Sequence, residues 1–313
     1  MVTGATGFVG RALVPALIKA GHEVSAVVRQ IPAPPFAGDI TVHKIADICS
    51  EVDWTEILRG VEAIVHLAGR AHVMTERAAD PQAEFNRINA AGTERLAQAA
   101  ADEGVKRFVY MSTVKVMGEQ TPAAPFSETD TPAPEDAYGA SKLAGEQALL
   151  RIAGETRLEP VILRPPLVYG PFAKGNVLSL LKLCRLAPPL PLGGIKNQRS
   201  MIFVGNLADA VITCLENPSA AGEIYFVRDG EDLSSSDLIR RVGEALNRPV
   251  RLFSFPPVLL RLAGRITGKS LAVDRLLASL QINDDKIRTQ LAWTPPFNVV
   301  QGLDKMAEWF KTP

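Results

Sequence analysis

Apolar, β-rich stretches alternate with stretches of helical periodicity along the first half of the chain. Candidate strands lie at 22–28, 40–45, 63–67, 107–111 and 160–163, and candidate helices lie at 9–20, 55–58, 81–103 and 137–153. Strands that are apolar at nearly every residue indicate a sheet buried on both faces. Because helices separate the strands, the pattern predicts an α/β fold with a doubly wound parallel sheet.

A glycine-rich turn stands in front of the first helix. Gly4, Gly7 and Gly10 are spaced three residues apart in MVTGATGFVG, and Gly21 follows the helix as its expected C-cap. Glycine allows a tight turn and a close approach of pyrophosphate to the backbone, and the start of a helix favours negative charge. Glycines needed for turn shape alone are the alternative. Together with the strand that follows, the turn predicts a Rossmann-type βαβ unit that binds a dinucleotide.

Only Met1, Val2 and Thr3 precede this turn. We therefore expect a first strand shorter than the usual five or so residues. We also expect a chain extended upstream to melt at a higher temperature and to bind its cofactor more tightly.

The strand–helix rhythm weakens after residue 164. Short helices follow, with isolated strands near 201–204 and 224–227. We expect a dinucleotide-binding domain over 1–164 plus 201–227. A smaller C-terminal substrate-binding domain is expected over 165–200 plus 228–313.

The end of the second strand bears on the choice of cofactor. An acidic residue there usually bonds the ribose hydroxyls of NAD. This chain has Arg29, whose guanidinium suits the 2′-phosphate of NADP. A solvated arginine at a strand end is the alternative. The sequence thus leaves NAD and NADP open, with a lean toward NADP.

Tyr138 and Lys142 are four residues apart, which places them on one face of a helix. A nearby ammonium is expected to lower the pKa of the phenol, so that it can exchange a proton with a sugar hydroxyl or ketone. A further hydroxyl is expected at the end of the preceding strand, where ligands of such sheets bind. Ser112 and Thr113 are the candidates, and for Ser112 a turn-capping role is favoured.

Composition excludes several classes of function. Lys plus Arg equal Asp plus Glu at 34 each, so no basic surface for nucleic acid is indicated. The three cysteines are scattered, which indicates reduced thiols, no metal site and a cytoplasmic location. No apolar stretch is long enough to span a membrane. The stretch FPPVLLRLAGRI at 255–266 predicts an amphipathic helix packed on the fold rather than a surface anchor.

Motifs spread over nearly the whole chain resemble those of one known family. They are TGATGFVG, Asp47-Ile48, HLAG at 66–69, NAAGT at 89–93, MSTVKVMG at 111–118, YGASK at 138–142, RPPLVYGP at 164–171 and LAWTPP at 291–296. The chain resembles the extended short-chain dehydrogenase/reductase superfamily, in its nucleotide-sugar epimerase/dehydratase branch. The resemblance implies an NAD(P)-dependent enzyme that acts on a UDP-sugar, and a homodimer.

The resemblance also implies roles for single positions. Thr113, Tyr138 and Lys142 would be catalytic, and Thr113, Asn176 and Arg199 would bind the substrate. His66 would pack at a strand end rather than take part in catalysis. With Arg29 included, the expected cofactor-binding residues are Gly4, Gly7, Phe8, Val9, Gly10, Arg29, Asp47, Ile48, Leu67, Ala68, Gly69, Tyr138 and Lys142.

Departures from the family pattern narrow the expected chemistry. Dehydratases of this branch carry an acidic pair after the catalytic threonine, whereas this chain has Val114 and Lys115 there. Dehydration is therefore not expected. Two reactions at C4 of the sugar remain open, in a surface-polysaccharide pathway. One is 4-epimerisation of a UDP-hexose or UDP-N-acetylhexosamine. The other is reduction of a UDP-4-keto-6-deoxy-N-acetylhexosamine to UDP-N-acetylquinovosamine. A non-catalytic NADP-sensing protein is a third alternative.

Overall fold

A seven-stranded sheet, in which all neighbouring strands pair in parallel, forms the centre of the molecule. The computed structural model describes residues 1–32, 36, 38, 40–71, 80–121, 123–268 and 270–312. The strand order is β3-β2-β1-β4-β5-β6-β9. The bounds are β1 Val2–Thr3, β2 Ser25–Val28, β3 Thr41–Lys44, β4 Ala63–His66, β5 Arg107–Met111, β6 Glu159–Arg164 and β9 Ile224–Phe226. The predicted doubly wound parallel sheet is confirmed.

Helices cover both faces of this sheet. Apolar side chains of α1 (Phe8–Lys19) and α7 (Val204–Glu216) pack on one face. The other face is covered by α2 (Trp54–Leu58), α4 (Gly92–Asp102) and α5 (Ala137–Glu155). Burial on both faces explains why the strands are apolar at nearly every position.

The first strand, β1, is two residues long. Val2 pairs with Ala26 and Val65, so β1 occupies a central place between β2 and β4 despite its length. The amino group of Met1 donates a hydrogen bond to the carbonyl of Ala63 at 2.7 Å. Burial lowers the pKa of this amino group to about 6.

A second layer of structure begins where β6 ends. Pro165 and Pro166 follow Arg164 and lack the N–H groups that would continue the ladder. The chain then forms β7 (Leu167–Tyr169), which pairs in parallel with β8 (Met201–Phe203) in a separate two-stranded sheet. Residues 201–203 therefore lie outside the seven-stranded sheet, whereas β9 joins it at the edge.

The remaining helices pack around this small sheet. A cluster of buried apolar residues joins β7 and β8 to α6 (Gly175–Leu186), α8 (Ser235–Ala245) and α12 (Val299–Lys311). Between α8 and α12 lie α9 (Pro257–Ile266), α10 (Ser270–Leu277) and α11 (Asp285–Gln290). The helix expected over 81–103 consists of α3 (Pro81–Asn86), a π-helical turn (Arg87–Ala91) and α4.

Candidate active site

The glycine turn between β1 and α1 allows a very close approach of backbone segments. Gly4 has a φ of +68°, and a Cβ at this position would lie 2.8 Å from the amide nitrogen of Ala68. A Cβ on Gly10 would lie 2.5 Å from the carbonyl oxygens of Gly4 and Ala5. Gly7 is the N-cap residue of α1 and has no side chain that could bond the first N–H groups of the helix. Phe8 and Val9 form its first turn. A diphosphate fits this turn, because uncapped N–H groups at the positive end of the helix suit an anion.

The loops after β2 and β3 form the next part of the candidate cofactor site. Arg29 follows β2 and is exposed, whereas Ile48 is buried. Asp47 accepts hydrogen bonds from Arg87 at 2.7 Å and from the amide of Cys49 at 3.1 Å. Partial burial opposes ionisation of Asp47, but these bonds and the charges of Arg87 and Arg29 keep its pKa below the usual value. The carboxylate thus stays ionised and fixed.

Leu67, Ala68 and Gly69 follow β4 at the carboxyl end of the sheet. Asn89, in the π-helical turn, accepts a hydrogen bond from the amide of Arg70 at 2.7 Å and donates to its carbonyl at 3.0 Å. Its amide also donates to the hydroxyl of Ser141 in α5 at 2.9 Å. π-turns inside α-helices often mark functional sites. Here the turn directs a buried amide that holds the 67–70 loop against α5.

Tyr138 and Thr113 lie side by side at the same edge of the sheet. Burial raises the pKa of Tyr138 to about 12, and the charge of Asp136 adds to this, while a hydrogen bond with the Thr113 hydroxyl opposes it. The sequence predicts a lowered pKa for Tyr138, and the structure shows a raised one. The reason is that burial of the phenol outweighs the other effects. Tyr138 is therefore neutral at pH 7 and holds a proton to donate.

Lys142 lies one helical turn beyond Tyr138 and is only 4% exposed. Its Nζ lies 4.4 Å from the ring centroid of Tyr110 and 3.5 Å from where a Cβ on Gly69 would be. Burial lowers its pKa to about 7, which the Glu146 carboxylate partly opposes. Within the described residues, this ammonium has a cation–π contact and no hydrogen bond. It is therefore available to a ligand hydroxyl beside Gly69.

His66 ends β4 and is fully buried. Its Nδ1 lies 2.7 Å from the Thr3 hydroxyl, and its Nε2 lies 3.1 Å from the Thr93 hydroxyl. Burial and the charge of Lys142 lower the histidine pKa to about 3. A neutral imidazole held between two hydroxyls fits the expected packing role.

Lys115 lies in the short helical turn that follows Thr113. Its Nζ lies 2.7 Å from Asp136 Oδ2 and 2.6 Å from Glu119 Oε1. Asp136 also caps α5, accepting a hydrogen bond from the amide of Gly139 at 2.7 Å. The lysine thus links the turn after Thr113 to the start of the helix that carries Tyr138. Neither Val114 nor Lys115 has a carboxyl group.

A buried network of charged and polar side chains holds α5 against the ends of β5 and β6. Glu146 accepts hydrogen bonds from Arg164 at 3.0 and 2.6 Å and from the Ser112 hydroxyl. Ser112 therefore supports the helix instead of capping a turn. Glu146 was not predicted from the sequence, although its position one turn after Lys142 indicates that it lies on the same face of the helix.

The two candidate substrate-binding residues lie in the C-terminal part. Asn176 is exposed in the first turn of α6. Arg199 donates hydrogen bonds to the carbonyls of Arg275 at 2.8 Å and Ala278 at 3.1 Å. Burial lowers the pKa of Arg199; the charge of Glu119 partly opposes this, and the charge of Arg275 adds to it. Its guanidinium has no hydrogen-bonded carboxylate among the described residues.

The described part of the chain contains neither a helix long and apolar enough to cross a membrane nor a cluster of side chains able to hold a metal ion.

A parallel doubly wound sheet, a glycine turn and a Tyr–Lys pair at the carboxyl end define an extended short-chain dehydrogenase/reductase. The NAD dependent epimerase/dehydratase family matches residues 1–227. The chain belongs to this family and is an enzyme.

Relatives at three levels of similarity are informative. A UDP-glucose 4-epimerase of Vibrio cholerae is 38% identical, over 99% of this chain and 94% of that protein. An N-acetyl-α-D-glucosaminyl-diphospho-ditrans,octacis-undecaprenol 4-epimerase of Escherichia coli O157:H7 is 27% identical, again over 99% and 94%. The NAD complex of a Thermus thermophilus UDP-glucose 4-epimerase superposes with a TM-score of 0.79 at 22% identity, over 99% and 98% of the two chains.

Proposed function

We propose that the chain is an NAD-dependent 4-epimerase of a UDP-hexose or UDP-N-acetylhexosamine. The observation that carries the proposal is that Tyr138 is paired with Thr113, while Lys142, one helical turn further on, lies beside Gly69. The Vibrio cholerae relative, a UDP-glucose 4-epimerase, supports the choice of reaction. A role in surface-polysaccharide synthesis and a cytoplasmic location are parts of the same proposal.

The glycine turn, Asp47, Ile48 and the 67–69 loop would hold NAD, which, when bound, supplies a hydride acceptor and donor. Oxidation at C4 requires the phenolate of Tyr138, so the tyrosine first releases the proton that it holds at pH 7. Its Oη then takes the proton of the C4 hydroxyl as the C4–H bond breaks, and returns it when the C4–H bond reforms on the other face. The Thr113 hydroxyl holds the C4 oxygen next to Tyr138. Lys142 adds positive charge, which favours the phenolate over the neutral phenol and so lowers the cost of proton removal.

The sugar nucleotide would extend from this point toward the C-terminal part. We propose that Asn176 and Arg199 hold its diphosphate, with residues 165–200 and 228–313 acting as the substrate-binding domain. Arg199 supports this role because its donors meet carbonyls and no carboxylate in the described structure.

Product analysis tests the proposed reaction. We expect the purified chain, without added cofactor, to interconvert UDP-glucose with UDP-galactose or UDP-GlcNAc with UDP-GalNAc, as seen by NMR. Tyr138→Phe should lower turnover by about a hundredfold to ten-thousandfold while NAD binding survives. Near-normal turnover of this variant would remove Tyr138 from the mechanism.

One observation favours the second candidate reaction, reduction of a UDP-4-keto-6-deoxy sugar. Arg29 is exposed at the end of β2, where its guanidinium suits NADPH, the cofactor of net reduction. Stoichiometric consumption of NADPH with the keto sugar, and no isomerisation of UDP-glucose or UDP-GlcNAc, would establish this reaction instead.

We also propose a homodimer. Sedimentation at several protein concentrations measures this directly, and a monomer at all of them would contradict it.

A further inference from the structure

Helix α9 exposes an apolar stripe. Val258, Leu262 and Ile266 are four residues apart and are 72%, 51% and 77% exposed. Leu259, beside them, is 44% exposed. Half of the large hydrophobic side chains that are exposed in the described structure lie between Phe253 and Ile266. The sequence correctly indicated an amphipathic helix, but this stripe does not pack on the fold.

The opposite face of α9 is the one that packs. Leu260 contacts the apolar cluster around β7 and β8, as do Leu276 and Leu277 of α10. A Cβ on Gly264 would lie 2.9 Å from Val273 Cγ2, so the two helices approach closely. The inner face therefore has its own partners, and the outer stripe is not needed to hold the helix in place.

Basic residues border the stripe. Arg261 and Arg265 follow Val258 and Leu262 by three residues, on one side of the stripe, and both are exposed. From Arg248 to Val273 the sequence contains five basic residues and no acidic residue. The next acidic residue, Asp274, lies 3.4 Å from Arg261. An apolar stripe with a cationic border matches the headgroup region of an anionic bilayer.

We propose that α9 docks the enzyme reversibly on an anionic lipid surface. The apolar stripe enters the headgroup boundary, and the arginines contact lipid phosphates. At ten residues the helix is too short to span a bilayer, so it lies in the plane of the surface. The proposal does not depend on which sugar the enzyme uses.

The docking helix belongs to the substrate side of the molecule. Its partner α10 supplies the Arg275 carbonyl that binds Arg199, and the Arg275 side chain pairs with Glu119 at 3.4 Å. Docking through α9 would therefore bring the candidate substrate site close to the membrane surface.

Co-sedimentation with lipid vesicles tests the proposal. We expect the full chain to bind phosphatidylcholine vesicles that contain phosphatidylglycerol, to bind pure phosphatidylcholine vesicles more weakly, and to be released by salt. Binding to neither kind of vesicle would overturn the proposal.

Two double variants and one control locate the surface. Leu262→Glu with Ile266→Glu should lower binding by about tenfold or more. Arg261→Gln with Arg265→Gln should lower it by about fivefold for each arginine. Val300→Glu, at an exposed position of α12, should leave vesicle binding unchanged. Circular dichroism and 4-epimerase activity in solution, both expected unchanged, show that each variant is folded.

Two results would contradict lipid docking. Equal vesicle binding by the parent and by the Leu262→Glu, Ile266→Glu variant would place the contact elsewhere. A parent oligomer that falls apart in this variant, without any vesicle binding, would show that a second copy of the chain covers α9.

Discussion

At the scale of single residues, Lys142 combines burial with positive charge. Its Nζ lies over Tyr110 and beside Gly69, and within the described structure no carboxylate bonds to it. Burial brings its pKa from a usual 10.5 to about 7. Strongly shifted pKa values cluster at functional sites, where charge is kept for a ligand at some expense of stability.

Because of this pKa shift, we expect the difference in unfolding free energy between Lys142→Met and the parent chain to depend on pH. The unfolded chain holds the Lys142 proton up to about pH 10.5, whereas the folded chain releases it near 7, so stability rises with pH between these values. Lys142→Met should thus be more stable than the parent at pH 6, by on the order of a few kcal/mol, and the gain should shrink toward pH 10. Urea unfolding at several pH values measures it.

Lys182→Met, at an exposed lysine of α6, is the matched control and should show no such trend. A constant difference between Lys142→Met and the parent at all pH values would contradict the buried-charge account.

The position of Arg29 after β2 predicts that substituting this residue changes the preference between NADPH and NADH. If its guanidinium contacts a 2′-phosphate, Arg29→Ala should weaken NADPH binding by about tenfold, because a charge-assisted hydrogen bond contributes about 1.5 kcal/mol or more. NADH binding should change little. Fluorescence titration of both cofactors measures this, and an unchanged ratio of affinities would exclude Arg29 from the site.

At the scale of elements, the start of α5 determines where Tyr138 lies. Asp136 caps this helix and pairs with Lys115. Asp136→Ala should cost about 1 kcal/mol of stability through the lost cap, and should also lower kcat because Tyr138 lies in the first turn. Asn298→Ala removes the cap of α12, a helix that carries none of the candidate site residues, and should cost similar stability without loss of kcat. Equal kcat in both variants would show that the cap has no positioning role.

The helix over 81–102 shows what a sequence pattern misses at this scale. Its apolar periodicity predicts one regular helix, but a π-turn at Arg87–Ala91 interrupts it. Asn89 in that turn is bonded to both backbone groups of Arg70 and to Ser141. These contacts join residues that are far apart in the chain, so the local periodicity of the sequence does not predict them.

At the scale of the whole molecule, the sheet was predictable because a strand buried on both faces needs apolar residues at nearly every position, and such runs are visible in the sequence. The strand Arg107–Met111 matches its prediction at both ends. Partners of charged side chains were less predictable. Glu146 and Arg164 are polar by type, yet they pair in the interior, and the sequence does not show which arginine meets which carboxylate. The pairing of β8 with β7 also depends on the turn at Pro165-Pro166.

The candidate site was predictable for a different reason. Gly4, Tyr138 and Lys142 belong to motifs whose spacing follows from one turn or one helix. The raised pKa of Tyr138 was not predictable, because it depends on burial of the phenol by segments that are distant in the sequence.

Cofactor binding should stabilise the entire fold, since the expected contacts lie on segments from Gly4 to Lys142. At a hundred times its Kd, NAD would add about 2.7 kcal/mol, which is several degrees of Tm for a chain of this size. A thermal melt of the chain after removal of its NAD, compared with the same chain after NAD is added back, measures the shift. Gly10→Ala should remove it, because the new Cβ would lie 2.5 Å from two carbonyl oxygens. A shift of the same size in that variant, shown to be folded by circular dichroism, would exclude the turn as the binding site.

The ion pairs of Lys115 connect two distant parts of the molecule. They run from Asp136 at the cap of α5, through Lys115 and Glu119, to Arg275 in α10. Opening of the α9–α10 hairpin would remove the last of these charges and loosen Glu119. Backbone amides in the first turn of α5 should then exchange with deuterium more quickly whenever the hairpin opens. The two segments, more than a hundred residues apart in the chain, would share one protection pattern.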